Sequence, residues 1–329
     1  MNLIIPMAGK GTRLRPQTLI TPKPLIEIAG RTIIQRIVDI VSEKSKNKIK
    51  NIGFIIEKQD AKIEEMLHLI GNKNNVKVHI FYQQQALGTA HAIYCAKKIL
   101  FGPVLIVFAD TLFDSKLIIP ETTDGCIFVK EVENPSAYGV VNLNQSGEII
   151  EFIEKPNEPI SNLAIVGIYY FKNGNLLAEE IKYILDKNIM IHGEYQITTV
   201  LENLKNKKLV FLPYKIEKWF DFGTPINLLR SHTEILKQEI PASRNQFKES
   251  TIIDPCYIAD DAQIIDSTIG PNVSVGSGTI IKSSNIKNTI IQSNSKIEGA
   301  TFNHSIVGNN VEYNQNFKSV NIGDYTTFK

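Results

Sequence analysis

The stretch IIPMAGKGTRLRPQTLITPKPL, from Ile4 to Leu25, opens on an apolar run and breaks at once into Gly9 and Gly11. Lys10, Arg13, Arg15 and Lys23 follow, and no acid appears before Glu27. A strand that ends in glycines lets main-chain N–H groups line an anion, and cations without neighbouring carboxylates add the charge to hold it. The Rossmann pattern GxGxxG fails at its third glycine, where Leu14 stands, and the Walker form GxxxxGK(S/T) is absent. Pro22 and Pro24 restrict the backbone around Lys23, which suits a lysine aimed at a reacting phosphorus. The spacing predicts a phosphate cradle.

Outward from this loop the chain falls into two compositional regimes. Up to about Glu239, short β-rich runs alternate with helical periodicity. NLIIP, NIGFII, VKVHIFY and PVLIVFA read as strands; a stripe through Ile33, Ile34, Ile37, Val38, Ile40 and Val41, and the runs AKIEEMLHLI and HAIYCAKKIL, read as helices. That order predicts a Rossmann-like, doubly wound α/β sheet with a ligand at the carboxyl ends of its strands, where the basic loop falls. From Gly125 to Phe171 the signal shifts to strands and hairpins, so the sheet is expected to be mixed and to carry a second lobe. Helices are expected again over residues 176–185, 194–204 and 225–236.

A polar segment, PASRNQFKES, begins at Pro241 and reads as a linker. After it Ile252, Ile258 and Ile264 recur six apart; one step of five leads to Ile269, Val275 and Ile281, again six apart. One apolar residue per hexapeptide, with small and turn-forming residues between, predicts a left-handed parallel β-helix of five or more turns. The chain is thus expected to hold a catalytic domain over 1–240 and a linker plus β-helix over 241–329.

Bulk composition narrows the function. The 329 residues carry 36 Lys and Arg against 34 Asp and Glu, a formal charge of +2, so no global field draws in nucleic acid or an anionic membrane. Cys95, Cys126 and Cys256 are widely spaced and odd in number, which reads as free thiols in a reducing compartment. The six histidines show no HExxH pair. Without a membrane-length apolar stretch or a signal-peptide pattern, a cytoplasmic protein is expected.

AGKGTRLRPQTLITPKPL resembles the signature of the sugar-1-phosphate nucleotidylyltransferases, the nucleoside-diphosphate-sugar pyrophosphorylases. QQQALGTAHA (83–92), FADTLF (108–113), AYGVV (137–141), EKP (154–156), VGIYYF (166–171) and WFDFGT (219–224) follow in that family's order. The resemblance covers roughly the first three-quarters of the chain, and a β-helix tail recurs in several branches of the family. It implies an enzyme that joins a sugar 1-phosphate, glucose 1-phosphate or a relative, to UTP or dTTP and releases pyrophosphate. The partners implied are a nucleoside triphosphate and a sugar 1-phosphate, with neither nucleic acid nor membrane, in a homo-oligomer.

The same resemblance assigns roles. Arg13 takes the leaving pyrophosphate and Lys23 the α-phosphate, which agrees with a forked guanidinium for a multi-oxygen anion and an ammonium for a point of charge. Ala8, Gly9, Gly11 and Thr12 fall to the nucleotide, as do Gln83, whose amide fits the imide edge of uracil or thymine, and Gly88. Lys155 holds the sugar phosphate and counts with Arg13 and Lys23 as catalytic; Glu154, Tyr138, Gly139 and Gly167 shape the sugar pocket. Asp110 and Asp221 are implied ligands of Mg²⁺, an ion satisfied by one or two carboxylates plus phosphate oxygens and water.

Each assignment has a plainer counterpart. Asp110 ends an apolar strand and would also serve as a helix cap; Gln83 alone reads as a surface amide, EKP as an exposed hairpin end, and Tyr138 and Trp219 as core filling between lobes. His304 in the β-helix reads as an ordinary exposed histidine. Two other classes compete: a cytidylyltransferase for a phosphoalcohol such as phosphocholine, which shares the basic loop, and a non-catalytic regulatory homologue. The EKP and AYGVV pair favours a sugar over a phosphoalcohol, and the presence of Arg13, Lys23, Asp110 and Asp221 favours an enzyme. Met7, where many relatives have a small residue, and FAD in place of Gly-Asp depart from the family pattern near the base pocket.

Overall fold

A computed structural model describes residues 1–45, 47–115, 117–119, 123–156, 158, 160–239, 247, 249–314 and 319–326. The chain forms two compact units, one from Met1–Gly9 and Ile37–Trp219, the other from Lys10–Arg36 and Phe220–Lys329. The boundary expected at residue 240 lies outside the described residues, as does most of the linker that follows it.

The first unit is built on a sheet of nine strands among the described residues: β1 Asn2–Pro6, β2 Asn51–Ile56, β3 Lys77–Tyr82, β4 Val104–Val107, β5 Gly125–Glu131, β6 Gly139–Leu143, β7 Ile149–Glu154, β8 Leu163–Phe171 and β9 Phe211–Lys215. Its order is β7-β6-β8-β4-β1-β2-β3, with β5 pairing β8 and β9. The pairs β1–β2, β1–β4 and β2–β3 are parallel; β8 runs antiparallel to β4, β5 and β6. The sheet is therefore mixed: parallel where strands alternate with helices in sequence, antiparallel where the hairpin signal begins at Gly125.

Helices follow the apolar stripes: α1 Ile33–Lys44, α2 Ala61–Lys73, α3 Thr89–Cys95, α4 Gly174–Asp186 and α5 Ile197–Asn206. Asp60 caps α2, accepting from the N–H groups of Lys62 at 3.1 Å and Ile63 at 3.2 Å. Two expectations shift. The run HAIYCAKKIL is helical only to Cys95 and continues as a 3₁₀ turn, Lys97–Ile99. The helix expected from residue 194 begins at Ile197, because the main chain of Tyr195 is spent on Leu87 O and Ala90 N–H, at 2.8 and 2.9 Å. Leu177, Ile181 and Ile184 of α4 and Val200, Leu201 and Leu204 of α5 fill one core with Ile4, Ile55, Ile106, Ile127 and Phe171. Among the described residues no helix is long and apolar enough to cross a membrane.

The second unit holds a last helix, α6 Pro225–Gln238, and a left-handed parallel β-helix. Thr224 caps α6 through Asn227 N–H at 3.2 Å, with Pro225 at the first helical position. Three parallel ladders form the prism. One stacks Thr251–Ile252, Thr268–Ile269, Asn285–Lys287 and Thr301–Asn303. A second stacks Cys256–Ile258, Val273–Val275, Thr289–Ile291, Ile306–Val307 and Asn321–Ile322; the third Gln263–Ile265, Ile280–Lys282, Lys296–Glu298 and Glu312–Tyr313. Thr251 pairs with Thr268 and Gln263 with Ile280, 17 residues apart, which is two steps of six and one of five. Later coils shorten to 16, as from Lys296 to Glu312. Ile264, Ile269, Val275, Ile281, Ile286, Ile297 and Val307 point inward and are buried.

Candidate functional site

In the second unit the basic loop curls through three short 3₁₀ turns, Thr12–Leu14, Gln17–Leu19 and Lys23–Leu25. Gly11 adopts φ +58°, and a Cβ there would lie 3.0 Å from Thr18 Cγ2 and 3.4 Å from Lys23 Cβ, so both conformation and space call for glycine. Its carbonyl accepts from Thr18 Oγ1 at 2.7 Å and Leu14 N–H at 2.9 Å. This ties the glycine turn to the Gln17–Leu19 turn that follows it. Arg13 is exposed, whereas Lys23 is buried at 9 %.

Asp221 lies in the same unit. Its Oδ1 accepts from Gly223 N–H at 2.7 Å and its Oδ2 from Asn227 Nδ2 at 2.6 Å. A Cβ on Gly223 would fall 2.9 Å from Asp221 Oδ1 and 3.5 Å from Arg13 Nη2. The structure thus brings Arg13 and Asp221 to one corner, with glycine between them. The carboxylate is held in orientation by two donors and keeps lone pairs for a further partner.

The remaining expected residues lie in the first unit. Ala8 is buried and Gly9 exposed just beyond β1, with nothing within 4 Å of a Cβ on Gly9. Gln83 follows β3 and is buried at 7 %. Its Nε2 donates to Gly88 O at 3.1 Å and meets His91 Nδ1 at the same distance. A carbonyl only accepts, so the amide nitrogen must face Gly88; His91 then accepts through Nδ1 and carries its proton on Nε2. Burial lowers the His91 pKa below its ordinary 6.5, which favours that neutral ring. Gly88 has φ +112°, and a Cβ there would lie 2.6 Å from Tyr195 O. His91 was within the quoted run QQQALGTAHA, but nothing in its spacing marked it as a partner of Gln83.

Asp110 follows β4. Beside it Thr111 Oγ1 donates to Val166 O at 2.7 Å, and Gly167, at φ +80°, leaves room for Thr111 and Phe108. Tyr169 is fully enclosed; burial, then the carboxylates of Glu154 and Asp110, push its phenol far above the usual range. The charges of Glu154 and Asp110 thus both bear on one buried tyrosine. Glu154 Oε2 accepts from Thr198 Oγ1 at 3.2 Å, and a Cβ on its cross-strand neighbour Gly139 would come within 3.2 Å of the same oxygen. Lys155 is exposed with φ +44°, its N–H bonded to Tyr138 O at 3.1 Å. Tyr138 meets Trp219 edge-on, centroids 5.2 Å apart, and Trp219 Nε1 is buried with no partner among the described residues. Thr198 and Trp219 Nε1 are the polar groups that sequence alone left unplaced here.

Among the described residues no group of three or more His, Cys, Asp or Glu is placed to hold a metal. Carboxylate oxygens such as those of Asp110 in the first unit and the oriented Asp221 in the second are the hard donor type that Mg²⁺ takes.

The nucleotidyl transferase family model matches residues 3–238. The bifunctional protein GlmU of Methanococcus aeolicus is 30% identical over 98% of this chain and 81% of its own length. A glucose-1-phosphate thymidylyltransferase of Streptomyces antibioticus is 25% identical over 99% of this chain and 98% of its own. The solved nucleoside-diphosphate-sugar pyrophosphorylase of Vibrio cholerae, at 18% identity, shares the fold with a TM-score of 0.60 over 70% of this chain and 99% of its own.

Proposed function

We propose, for a chain that belongs to the nucleotidyl transferase family, that it joins a sugar 1-phosphate to UTP or dTTP, giving a nucleoside-diphosphate sugar and pyrophosphate. Residues 1–240 carry the chemistry and 241–329 support it. Glucose 1-phosphate or a close relative is the sugar substrate, a reading supported by the name of the Streptomyces relative.

The observation that carries the choice of base is the Gln83 amide. With Nε2 engaged by Gly88 O and His91, the group left for a ligand is the acceptor Oε1. The N3–H of uracil or thymine donates to such an acceptor. Cytosine presents a lone pair at N3 and would oppose it, which sets the cytidylyltransferase reading behind this one.

In the reaction an oxygen of the sugar phosphate attacks the α-phosphorus, forming one P–O bond as the bond to pyrophosphate breaks. Arg13 takes the pyrophosphate with its fork of donors and Lys23 neutralises charge at the α-phosphate, so catalysis is positioning and charge stabilisation. Gly9, Gly11 and Thr12 offer main chain to the phosphates, and Ala8 packs by the nucleoside. Lys155 holds the sugar phosphate, Glu154 accepts from sugar hydroxyls beside Gly139 and Gly167, and the Trp219 N–H next to Tyr138, without a partner among the described residues, gives a further donor. Mg²⁺, when bound, neutralises phosphate charge, with Asp110 and Asp221 as the carboxylates that would hold it.

Pyrophosphate release from a matrix of triphosphates and sugar 1-phosphates with Mg²⁺ tests the reading. Release with UTP or dTTP and glucose 1-phosphate supports it; release only with CTP and a phosphoalcohol sinks it.

A further inference from the structure

Residues 16–30 of the basic loop lie along one ladder of the prism, coil by coil. A Cβ on Gly30 would fall 2.2 Å from the Tyr257 hydroxyl, and Ala29 N–H donates to Ser274 Oγ at 3.2 Å. Gln292 grips the main chain of Glu27 at both ends, accepting from its N–H at 3.0 Å and donating to its carbonyl at 2.8 Å. Gln17 Nε2 donates to Ile306 O at 3.2 Å and Ile322 O at 2.9 Å, carbonyls of two successive coils. Thr21 Oγ1 donates to Asp324 Oδ2 at 2.5 Å, and the other oxygen of Asp324 accepts Asn309 N–H at 2.7 Å. Tyr257, Ser274, Ile306 and Ile322 all belong to the ladder that starts at Cys256–Ile258.

Two of these anchors fall between Arg13 and Lys23. Gln17 is only 3 % exposed, and its partners are main-chain atoms fixed by the ladder, so the anchor is rigid on the prism side. We infer that the last coils of the β-helix position the phosphate-binding loop, with Gln17, Thr21 and Asp324 as positioning residues that act through Arg13 and Lys23. The inference rests on the roles proposed above for those two cations. It gives the tail a part in triphosphate binding although none of the substrate-binding roles proposed above falls on its residues.

The test uses the full-length protein and the variants Gln17→Ala, Thr21→Val, Thr21→Ser and Asp324→Asn. Amide hydrogen exchange without ligand should show residues 11–25 exchanging roughly tenfold faster in Gln17→Ala and Thr21→Val, while prism amides over 264–297 stay protected. KM for the triphosphate should rise roughly tenfold in both, KM for the sugar 1-phosphate should stay within about twofold, and Thr21→Ser, which keeps the hydroxyl, should behave as wild type. Should Gln17→Ala fail to fold, the Thr21 pair and Asp324→Asn carry the same contrast. Unchanged loop exchange with an unchanged triphosphate KM would overturn the inference, as would both KM values rising together. A wild-type chain with no transferase activity would remove the functional reading, and the exchange data would still decide whether the prism holds the loop.

Discussion

Gln83 Nε2 and His91 Nδ1 lie 3.1 Å apart, with Gly88 O at the same distance from that nitrogen on its other side. The histidine and the carbonyl together fix which end of the amide faces outward. His91→Leu removes one of the two acceptors and frees the amide to rotate. Discrimination between UTP or dTTP and CTP, read as the ratio of kcat/KM values, should fall about tenfold, or about 1.4 kcal/mol. An unaltered ratio would show that His91 does not orient the base-reading amide.

The same pair sets a pH dependence. Burial holds the His91 pKa below 6.5, so at neutral pH the ring accepts from Gln83. Once protonated, Nδ1 becomes a donor and meets another donor. KM for the triphosphate should therefore rise as pH falls through a value below 6.5, and this component should be absent in His91→Leu. Titration of the triphosphate itself affects both proteins equally, so parallel profiles would contradict the account.

Much of this arrangement was legible in the sequence because it depends on local periodicity. Two steps of six and one of five between Ile252 and Ile269 already give the 17-residue coil, and the turn from alternating helices to hairpins at Gly125 matches the change from parallel to antiparallel pairing. Contacts between distant residues were not legible. Gln17 reaches Ile322 across 305 positions, and a lone glutamine between a proline and a threonine carries no sign of that partner. The start of α5 at Ile197 was missed for a similar reason, since Tyr195 is committed to the Gln83 loop through Leu87 and Ala90. The plain reading of Gln83 as a surface amide fails because its side chain is buried.

His232 gives the second unit its own acid sensitivity. Ser274 Oγ accepts Ala29 N–H and lies 2.6 Å from His232 Nε2. Burial, then the Arg36 charge, lowers the His232 pKa to about 3 from 6.5. Below 6.5 the unfolded chain takes up a proton that the folded one refuses, so stability is complete above that pH and is lost as pH falls towards 3. The loss approaches ~1.4 kcal/mol per pH unit. Urea unfolding at pH 7, 6 and 5 should show a shallower decline in His232→Gln than in wild type, and equal slopes would refute the assignment.

Lys23→Met keeps the aliphatic stem of a buried side chain while removing its charge. Turnover should fall by two or more orders of magnitude, roughly 3 kcal/mol or more of lost transition-state stabilisation, with a melting temperature near that of wild type. Near-normal turnover would take Lys23 out of the mechanism.

In the proposed reaction an oxygen of the sugar phosphate attacks the α-phosphorus of a pyrimidine triphosphate. Glucose 1-phosphate labelled with ¹⁸O at its non-bridging phosphate oxygens, incubated with UTP or dTTP and Mg²⁺, tests it by mass spectrometry of both products. All the label should remain in the nucleoside-diphosphate sugar, one labelled oxygen now bridging the two phosphorus atoms, and the released pyrophosphate should carry none. Label in the pyrophosphate, or consumption of triphosphate without a labelled nucleoside-diphosphate sugar, would contradict the account.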